Sequence, residues 1–312
     1  MKVYDIGNGF KETSSRWEPG ENYYWIICDA AEIKNLLNKL VLDPETLEEC
    51  MNINQSPKIS FYDSYVFVVF NLLEYMKDEI ISRELNIYLG RDYIITIYKG
   101  EAEIIDALLK DIRELRNCFI LRENPRPCIL FYYILDRIIV RNYNVISMLE
   151  AEADQIEIDI LKRPSEEHAH RLITLRRQVF KVRKFLNPLR YIGDSLTIND
   201  NGIIEEVNLK YFESLNRKID KLMKAQEILV QDLALVREAF ESEIANKTNG
   251  LMKIFTTVAV IFLPLELITG LFGMSFSHMP FKDEIYGFYA ILIFMLITVI
   301  YLARIFKRNK WL

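Results

Sequence analysis

Residues Ile254–Phe276 read IFTTVAVIFLPLELITGLFGMSF. The stretch is long enough to cross a bilayer, because about 20 apolar residues in a helix span the ~30 Å hydrocarbon core. It carries a single ionisable residue, Glu266. A second apolar run, Tyr286–Phe306, follows after the short polar link SHMPFKDE. The part of the chain before these runs is charged and soluble in character. The pattern therefore predicts a soluble domain followed by a two-span membrane hairpin.

Charge sets the orientation of that hairpin. Lys247 and Lys253 precede the first run, and Arg304, Lys307, Arg308 and Lys310 lie at or beyond the end of the second. The link holds Lys282 together with Asp283 and Glu284. The positive-inside rule places both termini in the cytoplasm of a multi-pass protein of the cell membrane, with the link outside. The first 30 residues hold Asp5, Glu12, Glu18 and Glu21 and no apolar core, which argues against a signal peptide.

The chain has 312 residues and a net charge of -5. That length allows a sizeable soluble domain, and that charge gives no footprint for nucleic acid. The four cysteines, Cys28, Cys50, Cys118 and Cys128, lack C-x-x-C spacing. They read as reduced cytosolic thiols rather than a disulfide framework or a zinc site. No P-loop, G-x-S-x-G or H-E-x-x-H occurs, so an enzyme is not expected and no cofactor is implied.

Residues 1–120 read as α/β. Strands are expected at Tyr23–Cys28, Lys58–Phe61 and Tyr65–Leu73, and an amphipathic helix at Glu32–Leu42. Glu84–Leu89 and Tyr93–Tyr98 flank Gly90-Arg91-Asp92 as a hairpin. Pro125 and Pro127 open a helix running to about Lys162, acidic in its later part, and Pro164 breaks it. The return helix is basic, from Arg171 to Lys184. The acidic cluster at 150–167 has two readings, a divalent-cation attractor or an ordinary solvated face.

Between Ile203 and Asn249 there is neither glycine nor proline. Phe212, Ile219, Gln226, Leu233 and Phe240 recur every seven residues, with Leu215, Leu222, Leu229 and Val236 between them. This is an a/d seam with Gln226 as a register residue. It predicts a self-associating stalk, or else a helix buried on one face within its own subunit.

The membrane segment resembles that of the CorA-type divalent-cation transporters. The resemblance rests on Asn246-Lys247-Thr248-Asn249, Met252-Lys253, Phe262-Leu263-Pro264-Leu265, Thr269-Gly270, Gly273-Met274, Met279-Pro280 and Lys310-Trp311-Leu312. It covers the whole chain in order. It implies an α+β cytosolic domain, a long stalk helix and two C-terminal transmembrane helices, assembled as a funnel-shaped homopentamer in the lipid bilayer. The expected divisions are the α/β domain at 1–120, an acidic hairpin and return helices at 121–202, the stalk at 203–250, a pore-lining span at 251–276, an external loop at 277–285, a second span at 286–306 and a basic tail at 307–312.

By resemblance, Asn249, Met252, Phe255, Ala259, Leu263, Glu266, Gly270 and Ser275 form the pore stripe; apart from the last step they are spaced three or four residues apart. Met252, Phe255 and Leu263 are apolar constrictions of the kind that gate by dewetting. The other reading of these three is ordinary helix packing. The family signature Gly-Met-Asn stands here as Gly273-Met274-Ser275, and the Ser275 hydroxyl reaches less far than an asparagine amide. Gly270 and Gly273 suit close helix contact, with mouth-shaping the alternative for Gly273. Glu266 reads as a ring of five carboxylates around the pore, or as a protonated acid hydrogen-bonded to a neighbouring helix. Arg304, Lys307, Arg308 and Lys310 form the basic ring.

The resemblance also implies cytosolic acids that bind magnesium between subunits and hold the pore closed. The candidates are Glu213, Glu206 and Asp220, with Asp78 or Glu79 across the interface, since magnesium keeps most of its waters and needs one or two carboxylates. Mg2+ is then both the transported and the regulatory ion, with Co2+ or Ni2+ as co-substrates. Two alternatives remain: a ZntB-like proton-coupled or transition-metal (Zn2+) transporter, and a non-conducting membrane-anchored sensor or scaffold.

Overall fold

The computed structural model describes residues 1–13, 17–36, 39–52, 55–99, 103–274 and 286–308. They divide into two compact units, residues 1–159 with 165–237, and residues 160–164 with 238–312.

The first unit is built on a seven-stranded sheet ordered β2-β1-β3-β7-β6-β5-β4. Its strands are β1 (Lys2–Asp5), β2 (Lys11–Glu12), β3 (Tyr24–Asp29), β4 (Lys58–Phe61), β5 (Tyr65–Met76), β6 (Glu79–Gly90) and β7 (Tyr93–Tyr98). β3 and β7 pair in parallel and every other pair is antiparallel. β5 and β6 are longer than their apolar runs suggest. A two-residue turn at Lys77-Asp78 joins them, with φ of 50° and 62°, so the ladder extends from Tyr65↔Gly90 to Met76↔Glu79.

Val66–Phe70 is buried on alternating sides of the sheet alike, and this accounts for its unbroken apolar run. On one face, Ile26, Phe67, Val69, Tyr88 and Ile95 pack with Ile33, Leu36 and Cys50. Cys50 comes from α1 (Pro44–Met51), capped by Asp43, whose carboxylate accepts from the Glu45 amide at 2.9 Å. The helix expected over Glu32–Leu42 is a short 3-10 turn at Glu32–Leu36. Its start is held by Asp29, whose Oδ1 accepts from the amides of Ala31 and Glu32. Such a side-chain turn competes with α-helix formation.

α2 (Glu103–Arg113) and α3 (Phe119–Glu123) lead into the long antiparallel pair α4 (Pro127–Lys162) and α5 (Glu166–Ile198). Buried Asn142 of α4 accepts from the Leu73 amide at 3.0 Å and donates to the Asn71 carbonyl at 3.2 Å, tying the helix to β5. Gln178 and Lys181 of α5 grip the backbone of Ile80 in β6. The four cysteines are free and buried. Burial pushes the Cys28 thiol up to about 12, so it is an inert core group.

α6 (Leu209–Gly273) runs for 65 residues through Pro264. Its a/d seam is not left open for another subunit. Phe212, Leu215, Ile219, Leu222, Gln226, Leu229, Leu233 and Val236 are all buried within the chain. Phe131 of α4 packs on Phe212 at 5.9 Å, and Asn216 donates to Asp194 of α5 at 2.9 Å. At Gly193 of α5 a Cβ would collide with the Asn216 side chain and crowd Ile219, so α6 lies directly on that glycine. The expectation of a self-associating seam is thereby corrected: α4 and α5 supply its partners. Sevenfold spacing specifies an apolar stripe but not the chain that covers it.

The second unit holds the remainder of α6 and α7 (Gly287–Arg308). Both helices are long and apolar enough to cross a membrane, and their apolar side chains are exposed within the chain. Tyr286 and Tyr289, both exposed, stand at the N-terminal end of α7, as expected of interfacial aromatics.

Candidate functional site

α6 and α7 meet along an apolar seam enclosing about 550 Å³. α6 contributes Leu265, Ile268, Thr269, Phe272 and Gly273, and α7 contributes residues from Phe288 to Val299. Residues 265–273 of α6 thus lie beside residues 288–299 of α7. Helix geometry then fixes what α6 presents elsewhere. At about 100° per residue, the stripe of Met252, Phe255, Ala259, Leu263, Glu266 and Gly270 is centred roughly 115° round the helix from this seam.

Met252, Phe255 and Leu263 are 58%, 69% and 63% exposed, and Ile254, Phe262 and Leu267 on other sides of the helix are 58%, 62% and 64% exposed, so α7 leaves most of this span uncovered, the stripe included; Thr257 is 4% exposed. Asn249, Ala259, Glu266 and Gly270 are exposed too. A Cβ at Gly270 would meet nothing within 4 Å, so its small size serves no contact within the chain. The packing alternative for this stripe therefore requires a partner other than α7.

Glu266 is exposed and lies about 90° round α6 from the centre of the seam. Among the described residues its carboxylate has no ion-pair or hydrogen-bond partner; its backbone carbonyl accepts from Thr269 Oγ1 at 3.0 Å. A carboxylate at such depth costs about 2.5–3.5 kcal/mol on insertion scales, so it belongs against water or protein. Gly273 borders the seam and Met274 is 52% exposed. Ser275 and Lys310, with the loop residues His278, Asp283 and Glu284, lie outside the described residues.

The remaining candidates are dispersed. Glu213, Glu206, Asp78 and Glu79 are exposed, and Asp220 faces Arg190 at 4.0 Å. Asp78 belongs to the β5–β6 turn and accepts from the Tyr75 hydroxyl at 3.3 Å. Among the described residues no group of three metal-ligating side chains converges within one chain. The 150–167 acids are not uniformly free: Glu152 and Asp159 both accept from Arg171 of α5, at 2.8 and 3.0 Å. Arg304, Lys307 and Arg308 do not face the stripe. They lie on exposed sides of α7 away from the residues that line the seam with α6. Their i, i+3, i+4 spacing already carried that signal, because it confines them to one helical face.

A soluble α/β unit followed by an apolar two-helix hairpin, with a lone carboxylate on its uncovered face, defines a class of membrane protein. The profile described as CorA-like Mg2+ transporter protein matches residues 20–308, and the chain belongs to that family. It is 28% identical over 273 residues to the cobalt/magnesium transport protein CorA of Thermotoga maritima, covering 87% of this chain and 77% of that protein. The complete structure of the CorA magnesium transporter from Methanocaldococcus jannaschii superposes with a TM-score of 0.86 at 22% identity, covering 100% of this chain and 98% of that one. The ZntB cytoplasmic domain of Vibrio parahaemolyticus matches at a TM-score of 0.66 and 11% identity, over 79% of this chain and 98% of that domain. The last two are likenesses of fold.

Proposed function

We propose that the protein is a passive divalent-cation channel of the cell membrane, moving Mg2+, with Co2+ and Ni2+ as co-substrates, through a pore built by five copies. The observation that carries this reading is the stripe of α6, which α7 leaves uncovered and which holds Glu266 at mid-span with no partner for its carboxylate among the described residues. Copies arranged about an axis would cover that stripe with one another and bring the carboxylates together around water. Apolar rings at Met252, Phe255 and Leu263 supply constrictions, and Ser275 presents short hydroxyls at the outer mouth. Both termini lie in the cytoplasm, following the basic residues at the inner ends of the helices.

Glu266 also supports a second reading, proton-coupled or transition-metal transport. Uptake into liposomes by the purified chain, across a panel of Mg2+, Co2+, Ni2+ and Zn2+ and with or without a pH gradient, tests both. Gradient-independent Mg2+ uptake is expected. Uptake that requires the gradient supports the second reading, and the absence of uptake for every ion leaves a non-conducting scaffold.

A further inference from the structure

Arg304, Lys307 and Arg308 share one face of α7 with Tyr301, and all four are exposed. At about 100° per residue this face is centred roughly 160° from the residues of α7 that meet α6. The stripe and the basic face thus lie on different sides of the hairpin, neither of them centred on the seam. If the stripe surrounds an axis, the basic face is at the periphery; this step rests on the proposed pore. Among the described residues no acid pairs with any of the three cations.

The same face continues outward through Ile300 and Ile297, both exposed and apolar. Passing along it from mid-span toward the inner end, the chemistry changes from alkyl to phenol to guanidinium to ammonium and guanidinium. That sequence matches the depth profile of one lipid leaflet. Tyrosine settles at the headgroup boundary, and long cationic side chains lay their stems along apolar surface while their charges reach the phosphates. α7 has 22 residues, about 33 Å of helix against a core of about 30 Å, so its last turn reaches the interface. Arginine's planar fork takes two phosphate oxygens at once, which a lone ammonium cannot.

We propose that this face is a binding site for the headgroup of an anionic phospholipid of the inner leaflet, with Arg304 and Arg308 holding the phosphate, Lys307 adding charge and Tyr301 fixing the depth. Two arginines, a lysine and a phenol on an apolar stem fit a lipid better than a soluble anion, which needs no stem.

Native mass spectrometry of the full chain in mild detergent tests the site, reading bound lipid and oligomeric state together. Phosphatidylglycerol, phosphatidylcholine and inorganic phosphate are the probes. Wild type should retain phosphatidylglycerol in preference to phosphatidylcholine, and millimolar phosphate should not displace it. The triple variant Arg304→Gln/Lys307→Gln/Arg308→Gln should bind phosphatidylglycerol on the order of 100-fold more weakly, since each basic residue near an anionic surface contributes about five-fold. Arg217→Gln/Lys221→Gln/Lys224→Gln, which removes equal charge from the exposed side of α6 in the first unit, should retain it. Arg304→Lys/Lys307→Arg/Arg308→Lys should restore most of the binding. Unchanged retention in the glutamine variant, equal loss in the Arg217 set, displacement by phosphate, or a changed oligomeric state without lipid loss would each overturn the site. Lipid retention does not depend on flux, so failure of metal uptake with selective retention intact would count against the pore alone.

Discussion

Glu266 is the residue on which the chemistry of the span turns. Its carboxylate lies at mid-span with no partner among the described residues, on a side of α6 that α7 leaves uncovered. An ionised ring attracts cations, whereas a protonated ring is merely polar. Glu266→Gln should therefore lower divalent flux and flatten its pH dependence, and Glu266→Thr should give a pore with weak pH response; flux against pH in liposomes checks both. Three superimposable curves would assign Glu266 to a helix contact. Glu150 of α4 poses a related question in the soluble unit. Burial, then the nearby charges of Asp232 and Asp154, hold its carboxyl above the ordinary glutamate range. With its pKa raised on folding, its contribution to stability is present below the ordinary glutamate value and is lost as pH rises through the raised one. Glu150→Gln should raise the thermal midpoint at neutral pH, with the gap to wild type closing on acidification. A lower midpoint for the variant at neutral pH would mean that a cation compensates the charge. The sequence marks Glu266 plainly, as a lone acid in an apolar run. It does not mark Glu150, whose environment is set by α6 some 80 residues further along the chain.

At the scale of elements, the stalk is where pattern and packing part. Leu222 and Leu229 are fully buried by helices of their own chain, so truncating them leaves cavities in the soluble unit. Leu222→Ala and Leu229→Ala should each destabilise that unit by about 2–5 kcal/mol. Gln226 is buried in the same seam, and its Nε2 has no hydrogen-bond partner. Gln226→Leu should therefore raise the thermal midpoint, because an unsatisfied buried polar group is removed without loss of volume. Thermal scans of the three variants in detergent provide the check; a fall for Gln226→Leu would reveal a partner on which the glutamine depends. Strands β3 to β7, the helical hairpin and both spans were legible because each carries its own periodicity and punctuation; β1 and β2, of four and two residues, are too short to carry either. The full length of β5 and β6 was not, since Glu74–Arg83 is polar and its pairing depends on the Lys77-Asp78 turn. The 3-10 turn at Glu32–Leu36 was missed for a similar reason: one aspartate side chain outweighs an amphipathic pattern.

For the molecule as a whole, the account joins a soluble α/β unit to a hairpin whose two outer faces differ in kind. One face carries constrictions and a carboxylate, and the other grades from alkyl to cation. The stripe was readable as a spacing, but its being uncovered was not, because only the placement of α7 decides which side of α6 stays open. The central claim is that cations pass along the open side. Substituted cysteines test it most directly, against a quiet background of four buried native thiols. Ala259→Cys and Leu263→Cys place thiols on the stripe, and Ile297→Cys and Ile300→Cys place them on the outer face of α7. A cationic methanethiosulfonate reagent should abolish most Mg2+ uptake into liposomes for the first pair and leave the second pair unaffected. Block at Ile297 and Ile300 with none at Ala259 and Leu263 would contradict the account.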